Sequence, residues 1–184
     1  MQAATNGKWA SRFIWAAVIQ GLLAVVATIL IVQPWSIFGF TNFLNYYSPS
    51  RVIAGGGGGT WMFTGYISYL VVGVVATAVT AIFYFYIEGV MGRVYHGVSN
   101  LMAWGHILLM NVGVTGSMFL MMYGGYMAGW AATPTAQGGG GFTVGQVHEQ
   151  ILGGLVNPIG AFIMVAALGA VLGGLGFIIR SRGK

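Results

Sequence analysis

Four apolar runs, separated by short polar breaks, restrict what this sequence can fold into. They cover about residues 13–32, 61–87, 98–127 and 151–179. Each supplies the roughly 20 apolar residues that an α-helix needs to cross about 30 Å of hydrocarbon. The last two exceed that minimum, which predicts tilt or protruding turns. The sequence therefore predicts an all-α fold, an integral membrane four-helix bundle in which residues 1–184 form a single transmembrane domain.

The scarcity of charged side chains supports a membrane location. Asp, Glu, Lys and Arg make up 5% of the residues, whereas a soluble domain has about 25%. The net charge of +5 does not indicate a nucleic-acid partner, because such binding needs basic residues clustered on one solvated face. Here they are scattered and mostly stand where apolar runs end. Lipid is therefore the predicted environment, and nucleic acid is excluded as a partner.

The distribution of Lys and Arg predicts the orientation of the spans. With four spans, both termini and the loop between the second and third spans share one side of the membrane. That side holds six basic residues and the opposite side holds Arg51 alone; the six are Lys8, Arg12, Arg93, Arg180, Arg182 and Lys184. Cytoplasmic segments carry the excess of Lys and Arg. We therefore expect a multi-pass protein of the cell (plasma) membrane with both termini in the cytoplasm, N-in/C-in.

The connecting segments carry two glycine runs, Gly55–Gly59 and Gly138–Gly141. A phosphate-binding P-loop needs Lys and then Ser or Thr after its last glycine, but Thr60 and Trp61 follow the first run. Flexible or closely packed loops are the better interpretation. The rest of the external segment 34–60 is apolar, and we expect part of it to lie along the membrane or against a partner.

Small residues recur on the fourth span at helix-packing distances. Gly153, Gly160 and Gly174 belong to a seven-residue repeat, and Gly169 with Gly173 forms a G-x-x-x-G pattern. Small residues allow helix backbones to approach closely in lipid. The pattern predicts packing faces and leaves open whether they pack within the chain or against another protein.

Ionisable residues in or near spans are candidates for function because they are costly in lipid. Glu88 and Arg93 are predicted to pair in a solvated turn after the second span. His148 and Glu149 precede the fourth span. Glu149 suits a helix N-terminus, and an external contact or a copper-side role is the alternative for His148. Without a histidine at position 152, this pair is not the H-E-x-x-H zinc motif.

His106 lies about eight residues inside the third span, with Asn111 further in. We expect a neighbouring helix to satisfy this histidine; haem ligation, quinone hydrogen bonding and a proton relay are the alternatives. His96 lies roughly 15 Å from His106 along a helix axis, and His148 is near the opposite face. A haem would therefore need a ligand from outside the chain or one that is not histidine. We expect no cofactor in this chain alone, and no metal or catalytic residue, with haem or quinone at a subunit interface as the alternative.

One part of the sequence resembles a known group of proteins. The stretch YIEGVMGRVYHGVSNLMAWGHILLMNVGVTGSMFLMMYGGYMAGWAA, followed by QVHEQILGGLVNPIG, is similar to small polytopic proteins that accompany archaeal haem-copper terminal oxidases. Part of it also resembles a late helix of some oxidase catalytic subunits. Those subunits have many more spans and metal-binding histidines than this chain. The resemblance therefore implies an accessory subunit and not the subunit that reduces oxygen.

These observations lead to one main hypothesis and two alternatives. The resemblance implies a non-catalytic membrane subunit of a respiratory electron-transfer complex, with the other membrane subunits of that complex and lipid as its partners. The resemblance implies that this complex is a terminal oxidase, in which the chain would stabilise a cofactor-bearing subunit. The first alternative is a haem- or quinone-binding subunit that uses His106 and Asn111. The second is a small transporter or channel.

Overall fold

The computed structural model describes residues 7–33 and 48–182. These residues form helices and short connections, with no β-strand among them. In chain order the α-helices are α1 Lys8–Val32, α2 Pro49–Ala54, α3 Gly58–Ser68, α4 Ala76–Phe85, α5 Gly97–Ala132, α6 Val144–Val147 and α7 Gly153–Arg182. The all-α prediction is confirmed. Residues 34–47, within the predicted apolar external segment, lie outside the described residues.

Four helical stretches are long and apolar enough to cross a membrane. They are Lys8–Val32, Gly58–Val90, Gly97–Ala132 and Val144–Arg182, with 25, 33, 36 and 39 residues. All four predicted spans are present, and each helix extends beyond its apolar run. At 1.5 Å per residue the third is about 54 Å long, so its ends pass beyond the hydrocarbon layer. The chain is a multi-pass membrane protein.

The second and fourth spans each join α-helices through wider π-helical turns. Tyr69–Val75 links α3 to α4, Tyr86–Val90 extends α4, and His148–Leu152 links α6 to α7. Such wide turns are rare and rotate the residues that follow them relative to a regular α-helix. The faces of these two spans therefore cannot be obtained by counting 3.6 residues per turn.

Local sequence signals define the starts of the two short helices. Ser48 Oγ accepts a hydrogen bond from the backbone N–H of Arg51, and Pro49 occupies the first position of α2. Before α6, Thr143 and Gln146 form a reciprocal capping box. Both arrangements satisfy N–H groups that a helix start leaves without partners.

The chain, predicted as a single domain, divides into two compact units. Unit 1 contains the described residues up to Gly21, Leu70–Thr115 and the described residues from Ala161 onward. Unit 2 contains the described residues between Leu22 and Tyr69, together with Gly116–Gly160. Segments of all four spans contribute to each unit.

Candidate functional site

His106 lies in unit 1, where residues of three other helical segments surround it. A hydrogen bond of 3.2 Å joins its Nδ1 atom to the hydroxyl of Tyr84 on α4. The ring of Phe13 on α1 lies 5.0 Å away, centroid to centroid. Gly173 on α7 faces the imidazole. A polar ring within a span is thus held by a hydrogen bond and by ring packing.

The space that His106 occupies depends on the absence of a side chain at position 173. A Cβ atom there would overlap the imidazole at Nδ1, Cε1 and Cγ. Because the overlap includes the base of the ring, rotating the tip of the side chain would not relieve it. Gly173, selected by its spacing, therefore lies directly against the candidate site residue.

Aromatic rings form a shell around Tyr84. Phe13 stacks on Tyr84 with centroids 4.7 Å apart and planes inclined by 17°. Tyr95 and Trp9 lie at 5.0 and 6.1 Å. Trp9 and Phe13 are each only 1% exposed. Tyr84 is therefore the centre of the packing that positions His106, and the pattern of ionisable residues in the sequence did not reveal it.

Glu88, which belongs to the second span, caps the N-terminus of α1. Its Oε2 atom accepts backbone N–H groups of Trp9 at 2.9 Å and Ala10 at 3.2 Å. The first N–H groups of a helix lack partners within the helix, and negative charge is favourable there. Glu88 is only 7% exposed. The prediction of a solvated Glu88 is therefore wrong, because the carboxylate is needed inside the protein to cap α1.

Arg93 contacts the end of the fourth span. Its guanidinium donates from Nη1 to the carbonyl oxygen of Arg180, whose own Nε donates to Ser99 Oγ at 2.8 Å. These bonds give Arg93 a role different from the predicted pair with Glu88, since they tie the turn after the second span to the last turn of α7. Basic groups are favourable at such a helix C-terminus.

Tyr95 lies between the second and third spans and is buried. Burial raises the pKa of Tyr95 to about 12, and the neighbouring Glu88 carboxylate acts in the same direction, while Arg180 opposes them. The phenol therefore stays neutral at any physiological pH. In this neutral form it packs against Tyr84 as part of the aromatic shell.

Arg12 is held by two indole rings. Its guanidinium carbon lies 4.3 Å from the ring centre of Trp9 and 4.4 Å from that of Trp104. Each contact has the geometry of a cation–π interaction. Its Nη1 atom is buried and has no hydrogen-bond partner among the residues that the structure describes. The indole faces therefore supply much of the stabilisation of this cation.

Asn111 belongs to a second polar cluster. Its Oδ1 accepts from Gln20 Nε2 at 2.8 Å, and its own amide donates to the Ile107 carbonyl at 2.7 Å. Thr115 also exchanges hydrogen bonds with Gln20. His106 and Asn111 are five residues apart, which turns them by about 140° around α5. The structure therefore assigns the two predicted site residues to different contacts.

Gln20 is a functional candidate that the sequence analysis did not select. It is 4% exposed and lies within an otherwise apolar stretch of α1. The predicted site residues included one neutral amide, Asn111, but not its partner Gln20. An isolated amide inside an apolar run was nevertheless a usable signal, because in lipid it needs a partner from another helix.

The remaining ionisable candidates are on the surface. His96, His148 and Glu149 are all exposed. Glu149 lies in the π-helical turn His148–Leu152 and not at the first turn of α6. Across residues 7–33 and 48–182, no three His, Asp or Glu side chains are grouped in a way that could hold a metal ion.

The five predicted packing glycines divide into two classes. Gly169 and Gly173 face α5, and a Cβ at Gly169 would lie 2.6 Å from the backbone nitrogen of Met110. Gly160 and Gly174 have open space on their Cβ side within the described structure, and Gly153 meets only the carbonyl of His148 in its own span. The G-x-x-x-G pair, Gly169 and Gly173, therefore packs inside unit 1. The glycines of the seven-residue repeat, Gly153, Gly160 and Gly174, do not face another span.

Comparison with known proteins provides no family for this arrangement. The chain matches no protein-family model, and neither a curated protein nor a solved structure shows significant similarity to it.

Proposed function

We propose that this protein is a non-catalytic integral subunit of a respiratory electron-transfer complex, and that it packs against a larger, cofactor-bearing subunit. The observation that carries the proposal is the outward position of Gly160 and Gly174 on α7, where a side chain would meet open space. The assignment to a terminal oxidase rests on the resemblance of residues 84–160 to oxidase accessory proteins.

Outward glycines favour a protein partner over lipid alone. Glycine inside a helix is less stable than alanine by up to about 1 kcal/mol. Contact with lipid tails provides no compensation for this difference, whereas close approach of another helix does. The neighbouring outward position, Ala167, is also small and exposed. A partner helix that packs at these positions would account for the composition of this face of α7.

The inward polar groups support a structural role. Tyr84 bonds to His106, Gln20 bonds to Asn111, and Glu88 caps α1. Each contact joins separate spans of the same chain. The first and fourth spans have only 17% of their most apolar window buried, so they have a large surface for lipid or partner subunits. A structural role in helix packing best explains this distribution of polar and exposed groups.

The proposal includes an orientation in the plasma membrane, with both termini cytoplasmic. Five basic residues lie in unit 1, namely Lys8, Arg12, Arg93, Arg180 and Arg182, and Arg51 lies in unit 2. The excess of basic residues at the cytoplasmic side supports this orientation. The chain has no cysteine, so the variants Ser181→Cys and Ala136→Cys provide unique labels. A membrane-impermeant maleimide should label position 136 and not position 181 in intact cells; the reverse would contradict the orientation.

Co-purification tests the packing role. The double variant Gly160→Leu/Gly174→Leu fills outward positions and should leave the fold intact while it removes a haem-containing partner from the protein isolated in mild detergent. Leu22→Phe enlarges an exposed side chain on α1 and serves as the matched control. Wild-type protein that purifies as a stable monomer without any redox companion would overturn the proposal.

The hydrogen-bonded Tyr84–His106 pair favours a second candidate function, a haem or quinone site at a subunit interface. Both side chains carry groups that could bond to a quinone oxygen, although Phe13 and Gly173 already pack on the imidazole. An absorbance spectrum of the purified chain separates the haem form of this candidate from the first. A Soret band that disappears in His106→Ala would establish haem ligation and displace the packing role.

A further inference from the structure

Unit 2 contains a cavity of about 770 Å³ that none of the roles above uses. Its walls are Arg51, the glycine run 55–58, and the end of α5 with the residues that follow it, including Thr133 and Gln137. Small-molecule sites typically have volumes of about 300–1,000 Å³. The cavity is therefore large enough for a lipid headgroup or a small organic anion.

The charge of the described lining is positive. Among the described residues that line the cavity, Arg51 is the one ionised side chain and none is a carboxylate. Within the described part of the chain, no side chain pairs with its guanidinium. Arginine binds phosphate oxygens through two parallel hydrogen bonds. Thr133 and Gln137 add neutral groups that can bond to further oxygens.

The cavity lies at the ends of two candidate spans. Gly58 on its wall is the first residue of the second candidate span, and Ala132 on its wall is the last residue of the third. The ends of spans lie in the headgroup layers that flank the hydrocarbon core. A cavity lined by two such ends therefore opens at the level of lipid phosphates.

The glycine wall has a defined shape. Gly56 and Gly57 have φ values of +69° and +54°, which residues other than glycine rarely adopt. Gly58 lies against Ala128 and Gly129, where a Cβ would lie 2.5 Å from the Cβ of Ala128 and 2.7 Å from the backbone nitrogen of Gly129. The run is therefore closely packed at Gly58 and Gly59, whereas Gly56 and Gly57 have open space on their Cβ side. The packed end of the run fixes one wall of the cavity, and pre-organisation favours binding.

We propose that this cavity binds a phosphate group, with Arg51 as its counter-ion. The shared chemistry is a phosphate oxyanion at the membrane surface, carried either by an anionic phospholipid or by free inorganic phosphate. The proposal is independent of the packing role of α7, so either can fail without the other.

Binding is tested on the full-length protein in a maltoside detergent free of phospholipid. Two probes are added separately, phosphatidylglycerol and inorganic phosphate, and binding is followed by native mass spectrometry and by the shift in thermal unfolding. Arg51→Gln should weaken binding on the order of tenfold, because it removes a charge-assisted bidentate contact. Arg182→Gln removes the same charge from the exposed end of α7 and should change little.

Ala136→Trp provides a second test that retains Arg51. Position 136 lines the cavity and is exposed, so a large ring there should occlude binding without disturbing the core. Phosphatidylglycerol binding that requires Arg51 identifies lipid as the source, and inorganic phosphate binding that requires Arg51 identifies the free ion. The proposal is overturned if neither probe binds, or if both bind Arg51→Gln as tightly as the wild type. Equal losses in Arg51→Gln and Arg182→Gln would overturn it as well.

Discussion

The two units of the molecule hold their helices together by different means. In unit 1, polar and aromatic side chains join the spans through the pairs Tyr84–His106 and Gln20–Asn111. In unit 2, glycines bring backbones together. A Cβ at Gly125 would overlap the backbone nitrogen of Met62, and one at Gly65 would lie 2.8 Å from the carbonyl oxygen of Met118.

This difference shows two solutions to the same problem. Burying apolar side chains between helices contributes little stability in lipid, because lipid tails are as apolar as the side chains. Close backbone approach increases dispersion contacts, whereas polar pairs satisfy groups that would otherwise be unpaired in hydrocarbon. Unit 2 depends mainly on the first and unit 1 combines both. The consequence is that substitutions of the same kind should have different effects in the two units.

The largest effect is expected where a glycine brings the backbones of two spans closest together in unit 2. Gly125→Ala should lower the free energy of unfolding by about 1–3 kcal/mol, since the new methyl group has to displace the backbone of Met62. Gly160→Ala, in the same unit with open space around it, should be neutral or stabilising by up to about 1 kcal/mol. Unfolding by SDS in mixed micelles measures both. Equal effects at the two positions would contradict the packing that we describe.

Substitutions at Gly173 and His106, which are in contact in unit 1, should have coupled effects on stability. Gly173→Ala should destabilise the protein by about 1–3 kcal/mol, because the new methyl group would overlap the imidazole of His106 at Nδ1, Cε1 and Cγ. In a His106→Ala background the same change should have a much smaller effect, and the double-mutant cycle measures the difference. Gly105→Ala is the control, because its Cβ would meet only the tip of Leu172, at 2.6 Å. Additive effects of the two substitutions would exclude a direct contact.

Loss of a hydrogen bond between spans should lower the free energy of unfolding by different amounts in the two units, and the difference should be smaller than for the glycines. Gln20→Leu should destabilise by about 1–2 kcal/mol, because it leaves Asn111 and Thr115 without this partner in hydrocarbon. In unit 2, Thr28 and Tyr66 share a single hydrogen bond of 2.7 Å, and Tyr66→Phe should lose about 0.6 kcal/mol. If Tyr66→Phe lowered the free energy of unfolding in mixed micelles more than Gln20→Leu does, hydrogen bonds between spans would not distinguish unit 1 from unit 2.

The smallest effect concerns the cap of α1. Glu88→Gln keeps an oxygen that can accept a hydrogen bond but removes the charge at the helix N-terminus, so a loss of about 0.3–1 kcal/mol is expected. Glu149→Gln removes the other acidic charge of the chain from an exposed position and should have no measurable effect. Hydrogen exchange at the first amides of α1 should increase only in Glu88→Gln. An unchanged exchange rate there would refute the capping role.

Helix packing could be predicted from the sequence only in part. The spacing of glycines selected Gly169 and Gly173, which lie against α5, because close approach requires small residues wherever it occurs. It could not separate them from Gly160 and Gly174, since spacing does not specify which face of a helix meets a neighbour. The same limit applied to Glu88. Its position at the end of a span suggested water, and only the approach of α1 made it a buried cap.

The sequence by itself determined that the chain is a multi-pass membrane protein with four helices long and apolar enough to span a membrane, because the length of an apolar run and the scarcity of charge are local properties. The tertiary structure alone decided which polar groups meet. Gln20 with Asn111, and Tyr84 with His106, are pairs from distant parts of the chain. Their meeting depends on how helices rotate and pack, and the wide π-helical turns of the second span alter that rotation in a way that no repeat in the sequence reveals.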